Sequence, residues 1–437
     1  MFDPLDAPGI LRDEITQRRE SGYDVDEVAA KADAVDAGDS SAVEELTDSL
    51  EQAARRPGWT YEEPSELADI LATLPEAERP SRPFERDLED KVRAGWLGRI
   101  AGCNVGKPVE WGDHWTPEHL RSYLELAGAY PLLDYVPLLD PLPAGYELRE
   151  DNMLETTRGN VDGSARDDDI DYPILGLYLL ERHGGRLSPQ RVADSWLELL
   201  PFHQVYTAER VAYRNLVLGV PIGEVPRRRN PYREWIGAQI RGDIFGWTHP
   251  GDPRAAATLA YQDASLSHTE NGIYGEMWAA ALVSAAFVAG SAREAVTRSL
   301  DHVPPRSRLA KAITDVLDQH GGGGTWDEAL TRIRATYGHY SWIHTVNNAA
   351  LVVAGLLWGD GDLARTVGLT VMGGWDTDSN GATVGSVAGV LAGTAALPAH
   401  LIEPLHDTTR SALFGFDHSR ISDLAARTAR LAREGLG

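Results

Sequence analysis

The stretch GGWDTDSNGATVGSVAGVLAG, residues 373–393, decides how the chain is read. Asp376 and Asp378 stand one residue apart, Ser379 follows, and glycine, alanine and valine then take over. Ala382, Val384, Val387, Ala388, Val390 and Leu391 have the spacing of a tightly packed helix. Small residues on a helix let another backbone come close. Carboxylates at the entrance to so apolar an element cost free energy to bury unless a positive charge pairs with them. The identity of that positive partner is the question from which the rest of the chain is read.

Upstream, "LEDKVRAGWLGRIAGCNVGKPVE" reads as an amphipathic helix that turns small-residue-rich and ends at Glu110. Residues 111–160, rich in Pro, Tyr and Leu without periodicity, read as a long irregular insertion. Segments with helical spacing then follow one another, from "DDDIDYPILGLYLLERHG" to the C-terminal "SRISDLAARTARLARE", and β-type alternation is nearly absent. The expectation is an all-α chain. Residues 1–85 are charged and poor in large apolar side chains, with Pro-rich connectors. They are read as a small N-terminal helical extension, with a boundary near Pro83 and the main domain over 86–437. The extension is expected to be dispensable for metal binding while affecting solubility or substrate access.

The formal net charge of −25 excludes a broad basic surface for nucleic acid and favours cations as partners. Cys103 is the only cysteine, which excludes an intrachain disulfide and a Cys-based zinc site. The first residues lack the basic and apolar regions of a secretory signal, and no charge-free run is long enough for a membrane span. A cytoplasmic location is the simplest expectation.

Four segments can carry chemistry. Asp167, Asp168 and Asp169 are consecutive, Asp171 follows, and a very apolar helix starts directly after them. An acidic cap on a solvated helix is the ordinary reading, but this helix is expected to be buried. "WDTDSN" at 375–380 offers two carboxylates and a hydroxyl on one short arc, hard oxygen ligands suited to Mg²⁺, Mn²⁺ or Ca²⁺. A helix cap would need only one of them. Glu110 closes "GKPVE", a weak signal alone. In "GAQIRGDIFGW" and "LSH", Gly237, Gly242 and Gly246 suit close approach to a ligand, while His268 alone reads more readily as structural.

In order and spacing these segments resemble the ADP-ribosylglycohydrolase family, the group that contains the dinitrogenase-reductase-activating glycohydrolase. "VGKPVE" matches its V-G-x-x-x-E, and "GGWDTDSN" matches its G-G-D-T-D-[TS]-N with Trp375 inserted. "GAQIR" and "LSH" match a G-x-x-M-R segment and a later [TS]-H. Where the family has T-D-D-T, this chain has Asp167, Asp168, Asp169 and Ile170. The third carboxylate alters the charge at one metal. The resemblance covers roughly residues 88–400.

The resemblance implies an all-α orthogonal helical bundle with a central binuclear metal site. It implies two divalent cations, Mg²⁺ first and Mn²⁺ as the alternative, held by Asp167, Asp168, Asp169, Asp376, Asp378 and Ser379. Asp169 or Asp378 would be the general base, with Glu110 as a gate. Gly237, Arg241, Gly246 and His268 would line the diphosphate and distal ribose cleft. The implied activity is hydrolysis of an ADP-ribosyl N- or O-glycosidic bond of a modified protein or small molecule. Two alternatives stay open: hydrolysis of another ribosyl glycoside or nucleoside-like metabolite, and a non-enzymatic, metal-stabilised binding protein. At least one of Trp111, Trp115, Tyr123, Tyr130, Tyr135 and Tyr146 in the insertion is expected to reach the cleft and narrow it.

Overall fold

Glycine at four-residue spacing brings two helices into backbone contact. A computed structural model describes residues 5–35, 39–77, 79–81, 85–149 and 154–436, with backbone alone at 85 and 86. The Glu85–Gly106 helix and the Thr377–Ala392 helix run antiparallel, with Gly98 against Gly385, Gly102 against Gly381, Gly106 against Thr377 and Ala94 against Gly389. A Cβ at any of these glycines would overlap a carbonyl oxygen of the other helix. The Thr377 hydroxyl donates to Gly106 O (2.8 Å) and fixes the register at one end.

Other helices enclose this pair. The Glu270–Ala286 and Thr345–Gly359 helices are buried on every face, as expected of helices that are apolar all round. The Leu363–Met372 and Ile421–Glu434 helices also pack against the pair, and the Asp168–His183 helix meets it near its N-terminal end. The fold is all-α, with 20 α-helices among the described residues, and 61% of it is helical. The one sheet among the described residues is Thr408–Thr409 paired with Ser419–Arg420. No described helix is long and apolar enough to cross a membrane.

Residues 111–160 are less irregular than expected. They contain a Pro117–Leu126 helix, started by Pro117 and capped by the Thr116 hydroxyl, which accepts from His119 N (3.2 Å). Their aromatic rings pack on each other: Trp115 lies 5.4 Å from Tyr123, and His119 stacks on Tyr146 at 4.4 Å.

At the N-terminus the Ala7–Glu20, Asp26–Ala32 and Ser40–Leu50 helices close a small core of Leu11, Ile15, Val25, Val43 and Leu50. Ile10 and Ile70 belong instead to the main core. The expected boundary at Pro83 lies outside the described residues.

Candidate active site and metal centre

The antiparallel glycine seam places the end of one helix beside the start of the other. After Gly106 the chain makes a 3₁₀ turn, Lys107–Val109, and delivers Glu110 next to the Asp376–Ser379 arc. The Asp168–His183 helix starts at the same point. Asp167 caps it, accepting from Asp169 N (2.9 Å), and Asp168 and Asp169 form its first turn. Arg99, buried in the middle of the glycine-rich helix, ties the starts together. It donates to Asp169 O (2.8 Å), Asp169 Oδ1 (3.1 Å), Asp243 Oδ2 (2.8 Å) and Ile240 O (2.6 Å). The Ser379 hydroxyl donates to Asp169 Oδ2 (2.9 Å).

The result is two carboxylate triplets that share Asp378: Glu110, Asp376 and Asp378, and Asp167, Asp169 and Asp378. Within each, one oxygen per residue lies within 4.8 Å of the others. Asp168 lines the same cleft but belongs to neither triplet.

Part of the positive partner is the chain itself. Lys107 pairs with Asp167, Arg149 with Glu110 and Arg99 with Asp169. Six carboxylates thus have three directly paired basic side chains, with Arg99 shared with Asp243 and Arg166 nearby but paired to Asp171, and negative charge is left over. Burial, then the neighbouring Asp378 and Asp167, pushes Asp169 well above the usual carboxylate range. Burial and Asp378 do the same to Asp376. Asp378 is raised by burial and by Asp167, and Asp168 is pushed up to about 7 by burial and Asp167. Asp167 goes the other way: burial raises it, but the charge and hydrogen bond of Lys107, with Arg166 and the Asp169 N–H, together outweigh burial. An oxygen-only donor set whose charges mutually disfavour ionisation fits a hard divalent cation.

The chain enters the Asp376 arc through two residues at positive φ, Gly374 (75°) and Trp375 (62°). A non-glycine residue there carries strain. Arg334, 4.7 Å from the centre of the Trp375 ring, offsets part of it by a cation–π contact. The apparent insertion is therefore a packed turn that aims Asp376.

A cleft of about 560 Å³ opens over the carboxylates. Of the residues expected at its substrate end, Gly237 lines it, against the Glu209 carboxylate. Arg241, Gly246 and His268 are placed elsewhere. Arg241 is buried, bonded to Asp263 (2.5 Å), Glu209 (2.8 Å) and Glu276 (3.4 Å), and spends its charge there. Gly246, like Gly242, admits the backbone of the Glu270–Ala286 helix, not a ligand. His268 is fully buried, with Nδ1 2.8 Å from the Ser267 hydroxyl. None of the six insertion aromatics lines the cleft, because their rings are used in packing or face solvent. Among its described residues, Arg149 is what the insertion contributes. The aromatic lining comes from Tyr206, Trp235 and Trp342, and further cations from Arg166 and Arg210. Proximity to Gly237 in the sequence is the one signal that could have found Trp235; nothing marked Tyr206, Arg210 or Trp342.

No curated protein sequence matches the chain. A solved structure named ADP-ribosylglycohydrolase-related protein complex is similar at 17% identity, covering 80% of this chain and 99% of that one, with a TM-score of 0.44. The family model described as ADP-ribosylglycohydrolase matches residues 85–435, and with that match over most of its length the chain belongs to the ADP-ribosylglycohydrolase family.

Proposed function

We propose that the protein is a metal-dependent glycoside hydrolase that cleaves an ADP-ribosyl bond of a modified protein or small molecule. Family membership supports hydrolysis of a glycosidic bond. The observation that carries the finer reading is the pair of carboxylate triplets sharing Asp378 beneath one cleft. Glu110, Asp376 and Asp378 would hold one divalent cation, and Asp167, Asp169 and Asp378 the other, with Asp168 and Ser379 beside them. Mg²⁺ is proposed first and Mn²⁺ second. When bound, such cations polarise sugar hydroxyls and make a water more acidic.

The chain's own groups do the remainder. Cleavage passes through an oxocarbenium-like state, and the carboxylates stabilise its positive charge. Arg99 and Ser379 occupy both oxygens of Asp169, which suits a fixed electrostatic role. Asp378 accepts from Ser379 N at one oxygen (2.9 Å), and its other oxygen would take the proton of the attacking water. Glu110, held by Arg149, stands at the cleft as the gate. Arg149, Arg166 and Arg210 suit a phosphorylated substrate, and Tyr206, Trp235 and Trp342 a planar base or aglycone.

The test is release of ADP-ribose from an ADP-ribosylated protein and from a small ADP-ribosylated compound, in Mg²⁺, with and without chelator. Metal-dependent release that Asp378→Asn abolishes is the expected result. Release of ribose from a nucleoside-like glycoside, with neither ADP-ribosylated substrate touched, would replace this reading by the simpler ribosyl hydrolase.

A further inference from the structure

The matched family region begins at residue 85, yet side chains from residues 13–63 bond to Tyr232, Glu234 and Arg308, which stand directly behind the wall of the cleft or hold a residue that does. That wall is built from two segments. Trp235, Ile236 and Gly237 come from one, Trp342 and Ile343 from the other. Ile236 N donates to Ile343 O (3.0 Å), Thr345 N to Glu234 O (3.2 Å), and the Thr345 hydroxyl to Trp235 O (3.1 Å). Glu234 therefore sits at the junction of the two segments, and its side chain is fully buried.

The Ala7–Glu20 helix supplies what that buried carboxylate needs. Gln17 Nε2 and the Ser21 hydroxyl donate to Glu234 Oε1 (2.7 and 2.6 Å). Asn271 Nδ2 and Arg308 Nη2 donate to Oε2 (2.8 and 2.5 Å). Arg308 is itself clamped by Glu63 Oε1 (2.9 Å), again from the N-terminal segment. Just before Glu234 in the chain, Arg233 makes two bonds to Glu14 (2.7 and 3.0 Å), and the Tyr232 hydroxyl donates to Asp13 (2.7 Å). Tyr232 in turn packs on Trp235 with ring centres 4.5 Å apart. Three consecutive residues next to the wall are thus held from outside the matched region.

We propose that the N-terminal segment is a structural part of the substrate wall, and that Gln17 and Ser21 act through Glu234 as positioning residues for Trp235–Gly237 and Trp342–Ile343. This rests on the proposed function only where a substrate is used to read it. Hydrogen bonds to a buried carboxylate are among the stronger ones, and losing two of them frees the wall without emptying the site, because Asn271 and Arg308 stay in place.

The test uses the full chain with Gln17→Leu and Ser21→Ala combined. Amide hydrogen exchange, which needs no substrate, should rise about tenfold or more at 234–237 and 343–346 while the Glu85–Gly106 helix stays protected. Metal stoichiometry should be unchanged. On an ADP-ribosyl substrate KM should rise about threefold to tenfold with kcat kept, the sign of lost binding rather than lost chemistry. Ser21→Thr, which keeps the hydroxyl, should restore exchange and KM when paired with native Gln17. Should the double variant prove too unstable, Ser21→Ala alone gives the same readouts at smaller amplitude. Unchanged exchange at 234–237 overturns the proposal, as does a loss of kcat with KM unmoved. Absence of any turnover in the wild type would instead overturn the proposed function, and the exchange result would still decide this one.

Discussion

Gly102→Ala tests the physical basis of both fold and site. A Cβ on Gly102 would lie 2.0 Å from Gly381 O and 3.2 Å from Ala382 N. Normal contact between carbon and oxygen needs more than 3 Å, so the two helices must separate by about 1 Å at this contact, one turn from the carboxylates. The obstacle is backbone, not the end of a flexible side chain, so little relaxation is available. Overpacking costs of about 1–3 kcal/mol set the scale, and this site belongs at the upper end. With an unfolding entropy of roughly 2.1 cal/mol/K per residue, a chain of 437 residues loses about 1 °C of Tm per kcal/mol. A shift of about 3 °C is expected by scanning calorimetry. The control is Gly223→Ala, where a Cβ meets nothing within 4 Å and the backbone is not at positive φ. It should melt within about 1 °C of the wild type, since a compatible Gly→Ala change is neutral or slightly stabilising. Gly102→Ala should also weaken Mg²⁺ binding in calorimetric titration, because Asp376 and Asp378 ride on the helix that moves. A Gly102→Ala protein that melts with the control and binds Mg²⁺ as tightly as the wild type refutes the reasoning.

Chelation of a protein loaded at about a hundredfold over Kd should remove about 2.7 kcal/mol per bound cation, read as a fall of about 3 °C in Tm for each; a Tm indifferent to chelator would remove the metal from the proposal. Arg241→Ala should cost about 3–5 kcal/mol, because it leaves Asp263, Glu209 and Glu276 buried without their cation, and denaturant unfolding measures it. In the seam between the N-terminal segment and the core, burial and then the Glu234 charge push Glu20 up to about 8 and Glu270 up to about 7. Both groups hold their protons more tightly folded than unfolded, so the stability they contribute is present below about pH 4.5 and is lost as pH rises through 7–8. Amide exchange in 7–20, corrected for the intrinsic pH dependence, should therefore increase between pH 5 and pH 8 by more than in the Thr345–Gly359 helix.

The helices were legible because apolar spacing of 3.6 survives in them. That another backbone comes close to the Thr377–Ala392 helix was legible from its small residues; that its partner is the Glu85–Gly106 helix was not. Both acidic arcs were legible too: consecutive carboxylates before a buried helix conflict with burial unless something compensates. The compensating cations were not. Arg99 reads as one charge on an amphipathic helix, and only the fold shows that it faces Asp169 and Asp243. Lys107 and Arg149 lie 60 and 39 residues from their partners in sequence. Glu14, Gln17 and Ser21 carried no signal within a segment read only as charged and poor in large apolar side chains; in the structure all three are buried against other polar side chains. The insertion aromatics misled for the opposite reason. Rings satisfy each other without any ligand, and sequence spacing carries no information on which side of a loop they meet.

The same seam explains how such a site can persist. Six carboxylates with three basic partners push apart, and a loosely packed junction would answer by opening. Here the elements that carry them cannot slide. Gly98, Gly102 and Gly106 lock the register of the Glu85–Gly106 helix, and with it Glu110, against the helix of Asp376 and Asp378. Arg99 then fixes the Asp168–His183 helix to that pair through a main-chain carbonyl as well as a carboxylate. Repulsion is thereby stored in raised proton affinity at Asp169, Asp376 and Asp378 instead of being released as displacement. On the proposed function, a divalent cation entering the cleft would meet its ligands already gathered, with most of the cost of gathering them met by apolar and backbone packing elsewhere in the chain.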